Sequence, residues 1–137
     1  MKFVVPGVVL AAALACNSQS LDGGGTIYFP QYSGDFYATG ALHARLERAE
    51  ACLLLLPEPD GQRYLAIWRD TMKPRVDGSA VRIENARGDV LATSGTLVVA
   101  GGREATPQEA AEYVGTKAPS SCRGINRFFL VGTISHT

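Results

Sequence analysis

Residues 52–68 read Cys52-Leu53-Leu54-Leu55-Leu56-Pro57-Glu58-Pro59-Asp60-Gly61-Gln62-Arg63-Tyr64-Leu65-Ala66-Ile67-Trp68. Two short apolar runs flank a segment dense in turn chemistry, where Pro sets φ and Gly accepts positive φ. The second run is rich in residues that favour strands, so the pair is predicted to be a β-hairpin. Upstream, Leu42, Leu46, Ala49 and Leu53 fall at helical spacing, while Leu42, Ala44 and Leu46 alternate with His43, Arg45 and Glu47. Periodicity alone does not separate these readings. The alternation stops at Arg48 and Pro57 closes the apolar run, which favours two strands with a turn near residues 48–50.

Downstream the same grammar repeats. Asp77-Gly78 precedes the alternating Ala80-Val81-Arg82-Ile83-Glu84, Arg87-Gly88-Asp89 precedes Val90-Leu91-Ala92, and Gly95 precedes an apolar strand over 96–100 that Gly101-Gly102 is expected to end. Short strands with turns about every 8 to 12 residues indicate a barrel or sandwich. One helix is predicted from Thr106 to about Val114: Thr106 can cap it, Pro107 suits its first position, Glu109 stands where a capping box needs it, and Gly115 can end it. Residues 128–134 make the last strand. The expected fold is all-β with minor α, a small OB-like barrel or sandwich with one short helix.

The chain has 137 residues, enough for one domain. Its 13 Lys and Arg balance 13 Asp and Glu, so no charge excess points to nucleic acid, and 46% apolar content excludes a wholly disordered chain. Lys2 followed by an apolar run and Ala13-Leu14-Ala15 has the order of a secretory signal peptide over residues 1–15. That run is about 13 residues, short of the roughly 20 that a spanning helix needs.

Cys16 directly follows the small-residue site, and a polar stretch with Gly23, Gly24 and Gly25 follows it. This resembles a bacterial lipoprotein signal, although the family prefers Leu where this chain has Ala13. Ala13-Leu14-Ala15 also suits the general signal peptidase, which would cut the same bond without adding lipid. The resemblance implies a diacylglycerol on the Cys16 thiol, cleavage before it and acylation of the new amine. Several acyl chains would then anchor the protein, each buried CH₂ worth about 0.8 kcal/mol. Asn17 is not the Asp that holds such proteins at the inner membrane, so the resemblance implies the outer membrane, facing the periplasm, where the bacterium has one. Residues 16–39 are expected to be a lipid-anchored flexible tether and aromatic segment, and residues 40–137 the β domain.

With Cys16 given to lipid, Cys52 and Cys122 remain as an even pair in an exported protein, and a bridge between them is predicted. Neither has a CxxC partner or a histidine nearby in sequence, so no metal site is expected, and no pattern implies a cofactor. The residues around Cys52–Leu56, Tyr64–Trp68, Asp77–Ile83 and Cys122-Arg123-Gly124, with Phe128 to Gly132, resemble a group of small exported bacterial proteins without an assigned function. The resemblance covers about residues 40–134. It implies a compact OB-sized barrel with the cysteines tying early strands to the last, and it implies no catalytic residues.

Tyr28, Phe29, Tyr32, Phe36 and Tyr37 place half of the aromatic residues beyond the leader in ten positions. They are a candidate binding surface for a sugar or protein, or a cover for a barrel end. Arg87-Gly88-Asp89 matches an adhesion tripeptide, and a hairpin turn explains the same residues. Trp68-Arg69-Asp70, Lys73 and Arg75 read as an ordinary exposed face. Glu47, Glu50, Asp60, Asp70 and Asp77 are scattered, and His43 has no partner at diagnostic spacing. Two functions follow as expectations. One is a non-enzymatic envelope lipoprotein that binds an envelope protein or glycan. The other is an envelope hydrolase acting on wall or exopolysaccharide, with loop carboxylates meeting in space.

Overall fold

A computed structural model describes residues 26–34, 38–59, 61–115 and 118–137. The leader, Cys16, the stretch 17–25, Phe36, Tyr37 and Asp60 lie outside the described residues. The elements are β1 (Gln31–Tyr32), β2 (Gly40–Ala49), β3 (Cys52–Pro57), β4 (Tyr64–Arg69), β5 (Lys73–Asp77), β6 (Ala80–Glu84), β7 (Val90–Thr93), β8 (Leu97–Ala105), α1 (Pro107–Val114) and β9 (Phe128–His136), with a 3₁₀ turn at Ser120–Cys122.

The main sheet runs β9-β8-β2-β3-β4-β1, and a further β9–β4 pairing closes five of its strands into a ring. Four of the five joints are antiparallel, and β4 with β9 is parallel, Phe128 opposite Leu65 and Val131 opposite Trp68. This is an all-β, OB-like barrel with one short helix. Closure leaves the ring without an open edge.

Alternation in the strands fills the barrel. Ala44 and Leu46, Leu53 and Leu55, Tyr64, Ala66 and Trp68, Val98 and Ala100, and Phe129 and Val131 all enter one buried cluster. At Gly132 the phase changes, because Gly101 pairs with Thr133 while Gly102 pairs with Val131, and Ile134 then takes the inward position. The extra residue is a β-bulge. The expectation that Gly101-Gly102 ends a strand is corrected here, since β8 continues to Ala105. A Cβ on Gly102 would stand 1.8 Å from the Leu130 carbonyl oxygen, so glycine is required by close approach inside the strand.

β3 and β4 have a second buried face. Ile67 and Leu130 pack under Ala110 and Tyr113 of α1, while Cys52, Leu54 and Leu65 pack with Cys122 and Ile125. Strands covered on both faces carry continuous apolar runs, which accounts for Cys52–Leu56 and Tyr64–Trp68. The bridge between Cys52 and Cys122 is formed, with Cα atoms 5.4 Å apart, and it holds the 3₁₀ turn against β3.

Residues 28–32 belong to the barrel, so the expected domain boundary at residue 40 moves toward the N-terminus. The β3–β4 ladder comprises Leu54 opposite Leu65 and Leu55 opposite Tyr64. Beyond it this segment bonds to the start of β3 and the end of β4: Tyr28 N donates to the carbonyl of Ala51, just before β3, at 2.8 Å, Trp68 N to that of Pro30 at 2.8 Å, and Asp70 N, just after β4, to that of Tyr32 at 2.9 Å.

β5, β6 and β7 form a separate antiparallel meander whose Val81, Ile83 and Ala92 join the barrel's cluster. Its outer strand β5 includes Pro74, a residue tolerated at a sheet edge. Helix α1 starts as expected, the Thr106 hydroxyl accepting from Glu109 N at 3.2 Å. Glu109 turns its carboxylate to Arg103, Nη1 donating to Oε1 at 2.9 Å. This contact holds the Glu109 carboxyl below its ordinary range.

Candidate functional site

Alternation that sends Ala44 and Leu46 inward leaves Arg45 and Glu47 on the outside of β2, with Leu54 of β3 opposite Glu47. An open groove of about 740 Å³ runs over this face. Arg48 and Arg63 join Arg45 and Glu47 in its lining, so three guanidiniums face one carboxylate. Ser79 of the β5–β6 turn and Ser94, just after β7 and bonded to Val81, border it on the meander side, and Ser121 and Ile125 from the segment that the disulfide pins to β3. Buried Leu54 forms part of its floor.

The cations are held in place by different acceptors. Arg45 Nη1 donates to the Gly95 carbonyl at 3.0 Å, and its Nη2 lies 4.0 Å from Glu58 Oε1. Arg48 donates through Nε to the Glu50 carbonyl at 2.8 Å and through Nη1 to that of Gly78 at 3.2 Å. Arg63 Nε meets Glu47 Oε1 at 3.0 Å. Carbonyls thus orient Arg45 and Arg48 from one side, while Glu58 and Glu47 face Arg45 and Arg63.

Among the described residues Glu47 is the single carboxylate in the lining, and it is engaged by Arg63. Glu50 and Asp70 are exposed and outside the groove, and Asp77 pairs with Arg82 at 2.8 Å. Among the described residues the groove therefore holds no second carboxylate to pair with Glu47 as glycoside hydrolysis would use. His43 is exposed on the outer side of β2 opposite Val99. Among the described residues no three His, Cys, Asp or Glu side chains gather to hold a metal ion, and no helix is long and apolar enough to cross a membrane.

The described aromatic residues of the N-terminal segment pack against the domain. Tyr32 is buried and donates to the Val131 carbonyl at 3.0 Å. Tyr28 donates to the Val114 carbonyl, and Phe29 stacks on Trp68. Trp68 is itself in the core, so it contributes nothing to an exposed face with Arg69 and Asp70. Arg75 pairs with Glu84 at 2.8 Å.

Arg87-Gly88-Asp89 is the β6–β7 turn. Asn85 Oδ1 accepts from Arg87 N and Asp89 N, and the Arg87 and Asp89 side chains meet at 3.3 Å. The two ends that an adhesion receptor would need apart bind each other. At the far end of β4, Tyr64 donates to Glu104 at 3.0 Å and accepts from Arg127, while Arg127 also donates to Gln62 at 2.7 Å. This clasp joins β4 and β8 to the residue before β9. Burial first, then the Glu104 acceptor, pushes the Tyr64 hydroxyl above its ordinary pKa.

Sequence reasoning did not single out the groove. The alternation in β2 carried a signal for its charged side, but Arg63, Ser79 and Ser121 reach it only through the topology. Compared with family models, curated proteins and solved structures, the chain matches none.

Proposed function

We propose that this protein is an exported cell-envelope lipoprotein, anchored through Cys16, whose disulfide-stapled barrel binds an envelope component in the groove along β2 and β3 without catalysing a reaction. The groove carries this reading: an arginine-lined, serine-bordered concavity of about 740 Å³ whose one carboxylate among the described residues is already engaged. A site of this size falls within the range of ligand pockets. The leader ending at Ala15 and the buried disulfide support export to an oxidising compartment.

The test places a photo-crosslinking residue at Ser121 in the full chain within intact envelopes. A discrete adduct that disappears when Arg45 and Arg63 are both changed to Glu supports the reading. Adducts unchanged by those substitutions, or turnover of wall polysaccharide by the purified protein, would contradict it.

A further inference from the structure

We infer that the groove along β2 and β3 takes an acidic saccharide, its charge carried by carboxylates or phosphates. The inference rests on the groove being a binding site and adds the class of its ligand.

Arg63 is the first reason. Its Nε is committed to Glu47, and no described residue accepts from either Nη, so one edge of the fork remains for a ligand. That edge matches a carboxylate or phosphate in two-point geometry. Arg45 lines the same groove, oriented by the Gly95 carbonyl and only loosely paired with Glu58 at 4.0 Å, and adds a second guanidinium.

The neutral lining points to a saccharide. The Ser79 and Ser121 hydroxyls can exchange hydrogen bonds with sugar hydroxyls, while the half-buried Ile125 offers apolar surface to the C–H face of a ring. The groove is open, which suits a segment of a longer chain. An acidic peptide would satisfy the arginines and make less use of this mixture of hydroxyl and apolar surface.

The test measures binding of the full mature protein to four probes: an oligogalacturonate, its fully methyl-esterified form, a phosphorylated oligomannose and an oligoglutamate of matched charge. Binding of either acidic saccharide is expected, tighter than the ester and the peptide by about tenfold or more, the scale of one charge-assisted hydrogen bond. Whichever acidic saccharide binds identifies the anion. Arg63→Gln and Arg45→Gln should each lower affinity about tenfold, and Arg63→Lys should restore it only in part. Both side chains are substantially exposed, and an unchanged melting temperature confirms that each variant folds. Ester and acid binding equally, with Arg63→Gln silent, overturns the acidic class and spares the groove. Oligoglutamate binding as well as the saccharides overturns the sugar. Binding of none of the four overturns this inference, and if the Ser121 adduct also survives the double substitution the groove reading falls with it.

Discussion

The ring of Phe29 lies on the indole of Trp68, their centroids 5.0 Å apart and their planes 6° from parallel. Trp68 is fully buried, so this stack ties the segment before β1 to the centre of the barrel. Phe29→Ala removes the stacked ring and part of the cover of the core. Since Phe29 is only half-buried, the expected loss is about 2 kcal/mol, below the range for a fully buried aromatic. Calorimetry should show a melting temperature about 10 °C lower. No change would mean that residues 28–32 are a dispensable appendage.

The disulfide joins positions separated by 70 residues. In the chain-entropy picture, a loop of that length gives about 4 kcal/mol through the unfolded state. Cys52→Ser with Cys122→Ser should therefore lower the unfolding free energy by about that amount, with a lower denaturant midpoint and a steeper slope because the freed unfolded chain exposes more surface. The pair should also loosen the Ser121 wall and weaken ligand binding at temperatures where the protein remains folded. An unchanged midpoint would show that the bridge does not constrain the unfolded chain.

Gly101 and Gly102 are adjacent and predicted to respond differently. A Cβ on Gly102 meets the Leu130 carbonyl at 1.8 Å and the Phe129 ring at 2.9 Å, whereas one on Gly101 meets the Thr133 hydroxyl at 2.4 Å. Backbone cannot step aside as an exposed threonine side chain can. Gly102→Ala should cost about 3 kcal/mol or more and Gly101→Ala less than about 1 kcal/mol, read from urea unfolding. Equal costs would contradict the close approach of β8 and β9.

Tyr32 links pH to stability. Burial pushes its pKa up to about 12, against the opposing pull of Arg69 and Arg103. Below the unfolded value of 10.0 both states hold the proton and the contribution is fully present. Between there and about 12 only the unfolded chain releases it, so stability falls as pH rises, by up to about 3 kcal/mol. Tyr28 and Tyr64 are shifted in the same direction and add to the slope. Tyr32→Phe should flatten the alkaline fall in stability, measured by urea titration at successive pH values. An unchanged slope would show that Tyr32 ionises as freely in the fold as outside it.

The strands were legible wherever local chemistry and tertiary demand agree. Pro57 to Gly61 breaks the chain between two apolar runs, and both runs are strands because each buries two faces. Thr106, Pro107 and Glu109 marked the helix start because its contacts are local. Lys73–Asp77 was not legible as a strand, because an exposed edge carries no apolar alternation strong enough to distinguish it from a loop. Gly101-Gly102 reads as punctuation in sequence, and only the nearness of Leu130 shows that it lies within a strand. The groove was the least legible, since Arg63, Ser79 and Ser121 meet through barrel closure and the bridge from Cys52.

Export with a lipid anchor and a closed bridge is tested most directly by the intact mass of the protein extracted from its native membranes. The predicted species begins at Cys16, carries a diacylglycerol and an amide-linked acyl chain, and is two hydrogens lighter than its reduced form. An unprocessed chain beginning at Met1, recovered from the cytosol with Cys16, Cys52 and Cys122 all free, would contradict the account.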